Sequence, residues 1–327
     1  MICPRCNSTI ADGSLICPVC GDWCAASAQK ERVDNLKSKT RTIAHESFKS
    51  KLFQAMTILM TVTAAARTLT CFSFTAGGGS FGFSFDITVI FFIIAAVFCW
   101  QAARNDKPIL AGDHLGRIAF LDSVQAVLLV IAAVLIGLAA LLCFAMIGIG
   151  STVIAEAWGE IEPEIQELLS GEELELVSDL LLNQAGLLFA VMAFILLIAT
   201  AFCVWGSIIY FQRKRYLKDA EDSLTEYNIE KAPPYTSAIV FASISLFSTI
   251  VTFGTTVFTA GFSFASLVGT LALDCYIIVS TVWMTQLHKD ELANNAEIEN
   301  ESALLNNLIY SSKIASEKKA AETNTEE

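Results

Sequence analysis

Six long apolar stretches constrain this chain more than any other feature of its sequence. A helix needs about 20 apolar residues to cross the hydrocarbon core of a bilayer. Between Ala232 and Leu287 the only formal charge is Asp274, and these 56 residues suffice for two crossings and a short turn. The six predicted spans are Leu52–Phe72, Phe85–Ala103, Ile118–Met146, Leu180–Phe211, Tyr235–Phe258 and Phe264–Leu287.

The composition agrees with this interpretation. Hydrophobic residues make up 54% of the 327 positions and charged residues only 17%, whereas soluble domains contain about 25% charged residues. An ordinary soluble enzyme, a disordered chain and a collagen-like repeat are therefore excluded. The sequence predicts an all-α polytopic membrane bundle of six transmembrane helices.

The distribution of charge predicts how the spans are oriented. Segment 30–51 and the loops after spans 2 and 4 carry clusters of Lys and Arg, whereas loop 156–179 contains nine acids and no base. Loops rich in Lys and Arg stay on the cytoplasmic side of a membrane. We therefore expect both termini in the cytoplasm, loop 156–179 outside, and the plasma membrane as the location.

The third and fourth spans lie in unusually long charge-free runs. Residues 123–155 and 180–212 each provide 33 residues without charge, which at about 1.5 Å per residue exceeds the thickness of a bilayer core. Helices here must be tilted, be broken or project beyond the membrane. Gly148 and Gly150 are the predicted end of the third span.

Four cysteines in the first 24 residues form two CxxC pairs, Cys3 with Cys6 and Cys17 with Cys20. Each turn can present two thiolates, and four thiolates suit the tetrahedral coordination of Zn²⁺. Disulfides or unligated thiols are the alternative interpretation. A module this short has no hydrophobic core, so metal binding would supply its folding free energy.

The pattern C-P-x-C-x-S-x-I-x-D-G-x-x-x-C-P-x-C-G resembles the short zinc ribbon found at the N-terminus of many bacterial proteins. It matches at Cys3, Pro4, Cys6, Ile10, Asp12, Gly13, Cys17, Pro18, Cys20 and Gly21. The resemblance implies one structural zinc, a cytoplasmic docking module, a bacterial source and no catalysis. The membrane part is similar to multi-span proteins that carry such ribbons, without a motif that names a family.

The composition of this module bears on its function. Four protein thiolates leave no open coordination position for a water or a substrate, which disfavours a catalytic zinc. The module contains Arg5 against Asp12 and Asp22, so it lacks the bases that neutralise phosphates and no nucleic acid partner is expected. Cys24 is a candidate substitute ligand, although an unligated thiol beside the site is the favoured interpretation.

Two charged residues within the predicted spans are candidates for intramembrane function. Arg67 lies in the outer half of span 1 and Asp274 near the middle of span 6. A lone ionised carboxylate at that depth costs about 2.5–3.5 kcal/mol on translocon scales, so Asp274 is expected to face the bundle and have a partner. One hypothesis is an Arg67–Asp274 pair. The alternative is that Arg67 reaches the outer interface while Asp274 stays protonated.

The outer loop 72–85 reads FSFTAGGGSFGFSF. Phenylalanines alternate with small residues on both sides of a glycine turn, which is typical of a β-hairpin. We expect such a hairpin to lie in the outer interface. A flexible glycine linker between two helix ends is the alternative.

These observations combine into one expected organisation. Its parts are a zinc ribbon at 1–24, a basic juxtamembrane helical arm at 25–50, a six-helix transmembrane domain at 51–288 that includes outer loop 156–179, and a cytoplasmic tail at 289–327, helical and then disordered. We expect no enzyme activity and a ribbon used for docking or assembly. Expected partners are membrane lipid, a cytoplasmic protein and a second copy of the chain. The alternative function is a small transporter or channel subunit that uses Arg67 and Asp274.

The orientation can be tested with a reporter that is active only outside the cell. Fusions after residue 24 or residue 300 should be silent, and an insertion into loop 156–179 should be active, because the Lys and Arg clusters hold their segments in the cytoplasm. The measurement is reporter activity in whole cells, and the opposite pattern would refute the charge argument.

Overall fold

The computed structural model describes residues 2–3, 6–9, 17–21, 24–75, 80–83, 86–165, 185–227, 229, 231–256 and 264–323. Its elements are α1 (Cys24–Lys49), α2 (Lys51–Thr70), β1 (Phe72–Thr75), β2 (Ser80–Phe83), α3 (Ile87–Arg104), a 3₁₀ turn (Pro108–Leu110), α4 (Ala111–Ile165), α5 (Ala185–Glu226), α6 (Tyr235–Thr256) and α7 (Phe264–Thr323).

Each of the six predicted spans falls in one helix. Helices α2, α4, α5, α6 and α7 are long and apolar enough to cross a membrane, and α3 is a shorter apolar helix. Residues 85, 180–184 and 257–258 of the predicted spans lie outside the described part of the chain. The predicted helical polytopic membrane bundle is confirmed.

Polar side chains mark where two of the membrane helices begin. Ser50 is the N-cap of α2 and accepts a hydrogen bond from the backbone N–H of Phe53 at 3.2 Å. Asp86 is the N-cap of α3 and accepts from the N–H of Thr88 at 2.8 Å. Each cap satisfies one of the amides that the first turn of a helix leaves without a partner.

Helix α4 continues through Gly148 and Gly150 to Ile165, so the helix extends beyond the predicted end of the third span, and the end of the span at these glycines stays a prediction. A glycine costs only about 1 kcal/mol in a helix interior, and helix-forming Leu, Ala and Ile residues surround these two. The start of the predicted acidic loop is therefore helical at 156–165. Residues 166–179 lie outside the described part.

The chain divides into two compact units, one of residues 1–120 with 213–327 and the other of residues 121–212. In the first unit α7 packs against α1, α2 and α6. The contact of α7 with α2 is close at Gly269, where an added Cβ would lie 3.1 Å from Ala66 Cβ. Small residues at such a crossing let two membrane helices approach each other.

The second unit presents a strongly apolar surface. Leu141 and Leu142 on α4 are more than 60% exposed, as are Leu187 and Phe194 on α5. Exposed large apolar side chains in this number are costly in water and are expected where helices face lipid tails. This exposure agrees with the membrane interpretation of both helices.

The β-hairpin expected from the phenylalanine alternation is present. Strand β1 pairs with β2 in antiparallel register, with Phe72 opposite Phe83 and Phe74 opposite Phe81. The strand pairing is confirmed, whereas the location of this hairpin in the outer interface stays a prediction.

Helix α1 runs antiparallel to residues 283–301 of α7, and we call this pair the stalk. Near the membrane, Trp283 Nε1 donates to the Ser47 carbonyl at 3.1 Å. Further out, Asn294 Nδ2 donates to the Leu36 carbonyl at 3.2 Å. At the far end Gln29 Nε2 donates to the Glu301 carbonyl at 3.0 Å. The two helices thus stay in register over about 18 residues each, or roughly 27 Å.

Candidate metal centre and intramembrane charges

The two CxxC turns have matching backbone conformations. The N–H of Asn7 donates to the carbonyl of Cys3 at 2.9 Å, and the N–H of Gly21 donates to the carbonyl of Cys17 at the same distance. The residue after the second cysteine is left-handed in both turns, with φ of 55° at Asn7 and 70° at Gly21. Gly and Asn are the residues that adopt this conformation most readily. Each turn is therefore a tight loop that directs two sulfurs to one side.

The four sulfurs of Cys3, Cys6, Cys17 and Cys20 all lie within 4.8 Å of one another. The Sγ atoms of Cys3 and Cys20 are 3.5 Å apart, and those of Cys6 and Cys17 are 3.6 Å apart. These distances are much longer than a disulfide bond of about 2.05 Å, and all four cysteines are free thiols. The four predicted ligands are brought together in an arrangement that could hold a metal ion.

Ser8 is a further polar residue at this cluster. Its hydroxyl lies 2.8 Å from Cys6 Sγ and 3.4 Å from Cys17 Sγ. Hydrogen bonding from Ser8, together with the backbone amides of Cys20 and Val19, lowers the pKa of Cys17 to about 6, although burial acts in the opposite direction. A thiolate rather than a thiol is the form that binds a metal. Sequence reasoning did not select Ser8 as a site residue, although the serine of the zinc-ribbon pattern quoted above falls on this position.

The side chains of this module divide into an inner and an outer set. Cys3 and Cys17 are almost completely buried, and Cys20 packs against them. Cys6 is exposed. The sulfurs themselves thus form most of the small core, which fits a module whose folding depends on an ion. The side chain of Cys24 lies outside the described residues.

The structure gives Asp274 a partner on α6. The carboxylate is 3% exposed, and Thr249 Oγ1 donates to its Oδ2 at 3.2 Å. The ion pairs between described residues do not include one that joins Asp274 to Arg67. Arg67 lies beside Gly269 instead, where an added Cβ would be 3.9 Å from Arg67 Cγ, and Gly269 precedes Asp274 by five residues, or about 7.5 Å along α7.

Arg67 is the other intramembrane candidate. Its Nε is buried and has no hydrogen-bond partner among the described residues. Charge reversal remains the measurement that decides between the two hypotheses.

Comparison of the whole chain with protein-family models, with curated proteins and with solved structures found no match. The metal centre therefore rests on its own geometry.

Metal binding by the cysteine cluster can be measured on the purified full-length protein. We expect one metal ion per chain by elemental analysis, and Cys17→Ser should abolish it because three thiolates and a hydroxyl bind far more weakly than four thiolates. Cys24→Ser is the matched control and should retain the metal. Full metal content in the Cys17 variant would show that the ion is held elsewhere.

The Arg67–Asp274 hypothesis predicts a specific pattern of rescue. If the pair forms in the membrane, Asp274→Arg and Arg67→Asp should each reduce the folded yield, and the double variant should restore it. The measurement is the yield of monodisperse protein in detergent. If the double variant behaves no better than the single variants, the two side chains do not interact.

Proposed function

We propose that this is a non-enzymatic multi-pass membrane protein that holds a structural zinc ribbon in the cytoplasm and uses it to dock or assemble with a protein partner. The observation that carries the proposal is the stalk, because it connects a four-thiolate metal centre to a bundle of membrane-spanning helices. The two helices of the stalk are joined by side-chain hydrogen bonds from Gln29, Asn294 and Trp283.

Zinc is the metal that we propose for the cysteine cluster. A regular tetrahedron with Zn–S bonds of about 2.3 Å has S–S edges of about 3.8 Å. The observed separations of 3.5 and 3.6 Å are close to that edge. Four soft thiolates also favour Zn²⁺ over Mg²⁺ or Ca²⁺, which prefer oxygen ligands. With all four positions occupied by protein, such an ion would stabilise the fold and would not bind a substrate.

The length of the stalk supports a docking role. From Leu287, where the last apolar stretch ends, α7 advances about 21 Å to Glu301, where it contacts Gln29 of α1. Helix α1 continues another five residues to Cys24, which adds about 8 Å. Headgroups extend only about 5–8 Å beyond the hydrocarbon core. A ribbon at this height would be accessible to a soluble protein.

The charges of the stalk bear on its partners. Lys39 and Lys49 have carboxylate neighbours in the protein, at 3.8 Å from Glu297 and 2.8 Å from Asp106 respectively. Such exposed pairs contribute little stability but reduce the positive field of the basic arm. This charge balance supports a protein partner rather than a nucleic acid. Lipid contact is proposed for the membrane helices and the basic residues at the interface.

The proposed location is a bacterial plasma membrane with both termini in the cytoplasm. Two observations support this location. Basic and acidic loops alternate along the chain, and the four thiols of the cysteine cluster persist best in a reducing compartment. A second copy of the chain is a further proposed partner for assembly.

The docking function is tested by co-purification of the intact protein from its own cells in mild detergent. Metal-free Cys17→Ser protein should lose a partner that the unaltered protein retains, because the ribbon surface does not form without its ion. Chemical cross-linking with mass spectrometry identifies which residues touch the partner. Cross-links should fall within 1–24.

Cys24→Ser serves as the matched control, since it removes a neighbouring thiol and should keep both metal and partner. Light scattering on the same samples measures self-association. If the Cys17 variant retains every partner and the same oligomeric mass, docking through the ribbon is excluded.

The buried carboxylate of Asp274 favours a second candidate function, a small transporter or channel subunit. Ionisable residues inside membrane spans are costly and commonly mark ion pathways. Thr249 provides a polar contact beside Asp274. Uptake or conductance in vesicles that contain the purified protein, lost in Asp274→Asn, would support this candidate over docking.

A further inference from the structure

Glu291 on α7 is completely buried although it lies beyond the apolar part of that helix. The last apolar stretch ends at Leu287, four residues before Glu291. The residue has no exposed surface, and neither Oε1 nor Oε2 has a hydrogen-bond partner among the described residues. A buried ionised carboxylate without a donor or a counter-charge is strongly disfavoured. This side chain therefore needs a ligand that the described residues do not provide.

Neighbouring polar groups on the same face of α7 are also unsatisfied. His288 precedes Glu291 by one turn and Asn295 follows it by one turn, so the three side chains share a face. His288 Nδ1 and both polar atoms of the Asn295 side chain are buried without partners in the described structure. His288 Nδ1 and Asn295 Oδ1 are possible acceptors for a proton on Glu291. Asn295 Nδ2 is a possible donor to the second oxygen of Glu291.

The charged groups around Glu291 are mostly acidic. On α5, Asp219 and Tyr216 face it, and Asp290 is its neighbour on α7. Tyr216 is itself oriented by donating its hydroxyl to the Met284 carbonyl at 3.0 Å. These carboxylates repel a second negative charge.

The nearby bases are directed elsewhere. Lys231 lies 3.6 Å from Asp219. On α1, Lys37 sits over the ring of Tyr227, and Lys39 pairs with Glu297. None of these contacts provides Glu291 with a counter-charge.

We propose that Glu291 is a proton-binding site in the cytoplasmic bundle, and that it holds its proton at cytoplasmic pH to keep α5 and α7 packed together. The bound form is the neutral carboxylic acid, whose O–H can donate to an acceptor such as Asn295 Oδ1 or an intervening water. Loss of the proton to water would leave a buried negative charge on Glu291 that faces the carboxylate of Asp219, whose side chain is 13% exposed. The α5–α7 junction would then loosen.

A proton fits this site better than a metal ion. A divalent ion needs several ligands, and the cysteine cluster is the only group of three or more His, Cys, Asp or Glu ligand atoms found together among the described residues. A proton needs only one carboxylate oxygen and one acceptor. Burial and the charges of Asp219 and Asp290 raise the pKa of Glu291 to about 8, which agrees with the geometric argument.

Protons can reach the site through a neighbouring cavity. Asn295 lines a cavity of about 440 Å³ together with Lys37, Glu226 and Tyr227. This volume is large enough for several waters. A water chain from this cavity past Asn295 would carry the proton between Glu291 and the cytoplasm.

The sign of the pH effect follows from linkage. In the unfolded chain the carboxyl of Glu291 ionises near 4.5, whereas in the folded protein it keeps its proton to about 8. Between these values the unfolded state binds fewer protons than the folded state, so stability falls as pH rises. Glu291→Gln keeps the shape and the neutral charge and should remove this dependence.

The experiment uses the full-length protein in detergent. Infrared difference spectra at neutral pH should show a protonated carboxyl band that Glu291→Gln lacks. Between about pH 5 and pH 8 the thermal unfolding midpoint of the unaltered protein should fall by about 5 °C more than that of Glu291→Gln. Asp222→Asn, which removes an exposed carboxylate on α5, is the control and should behave like the unaltered protein.

Two outcomes would overturn the proposal. One is an infrared spectrum in which the unaltered protein and Glu291→Gln share the same carboxyl bands. The other is an identical fall of the unfolding midpoint in both proteins. If Glu291→Gln does not fold, Asp219→Asn decides, because removing the facing charge should move the loss of the band to lower pH. If the carboxyl band is lost at the same pH in Asp219→Asn and in the unaltered protein, the proposed proton-binding site at Glu291 is refuted. Metal content and docking are independent of this result.

Discussion

The packing of α1 along α7 is the interaction on which the part of this protein outside the predicted membrane spans depends. Three side chains donate across the two helices, each to a backbone carbonyl: the indole of Trp283 and the amides of Asn294 and Gln29. Along α7 these bonds are 11 and then 7 residues apart. Such bonds set the register of two helices as well as their contact, because a shift by one residue would break all three. A long helix that leaves the membrane alone would be marginal in water. Here α7 gains a partner over roughly five turns.

This packing leaves α7 with two different polar faces. Toward α1, Asn294 Nδ2 bonds to both Thr40 Oγ1 and the Leu36 carbonyl. Toward α5, Glu291 is buried without a donor among the described residues. Hydrogen bonds such as those of the Asn294 amide nitrogen specify one arrangement of helices, whereas a buried titratable group makes the arrangement depend on its protonation. One helix thus combines a fixed contact with a contact that pH can alter.

The metal centre is organised on a much smaller scale. Two CxxC turns with the same backbone hydrogen bond and the same left-handed residue bring four sulfurs together. Because each turn is only five residues long, its geometry follows from local sequence. The Ser8 hydroxyl bridges the two turns through Cys6 and Cys17. The stalk then separates this chemistry from the membrane, so the two parts can perform separate tasks.

The sequence by itself determined the helical membrane bundle, the six apolar helices, the cysteine cluster and the paired strands. These are properties of short segments: absence of charge over about 20 residues, CxxC spacing and period-2 alternation. Only the tertiary structure decided that Asp274 bonds to Thr249, that Gly148 lies inside a continuous helix, and that Glu291 is buried against α5. The reason is that helix partners depend on how each helix is rotated and shifted along its neighbour. The hydropathy of the sequence predicts which residues are shielded from water, but it does not predict which helix packs against them.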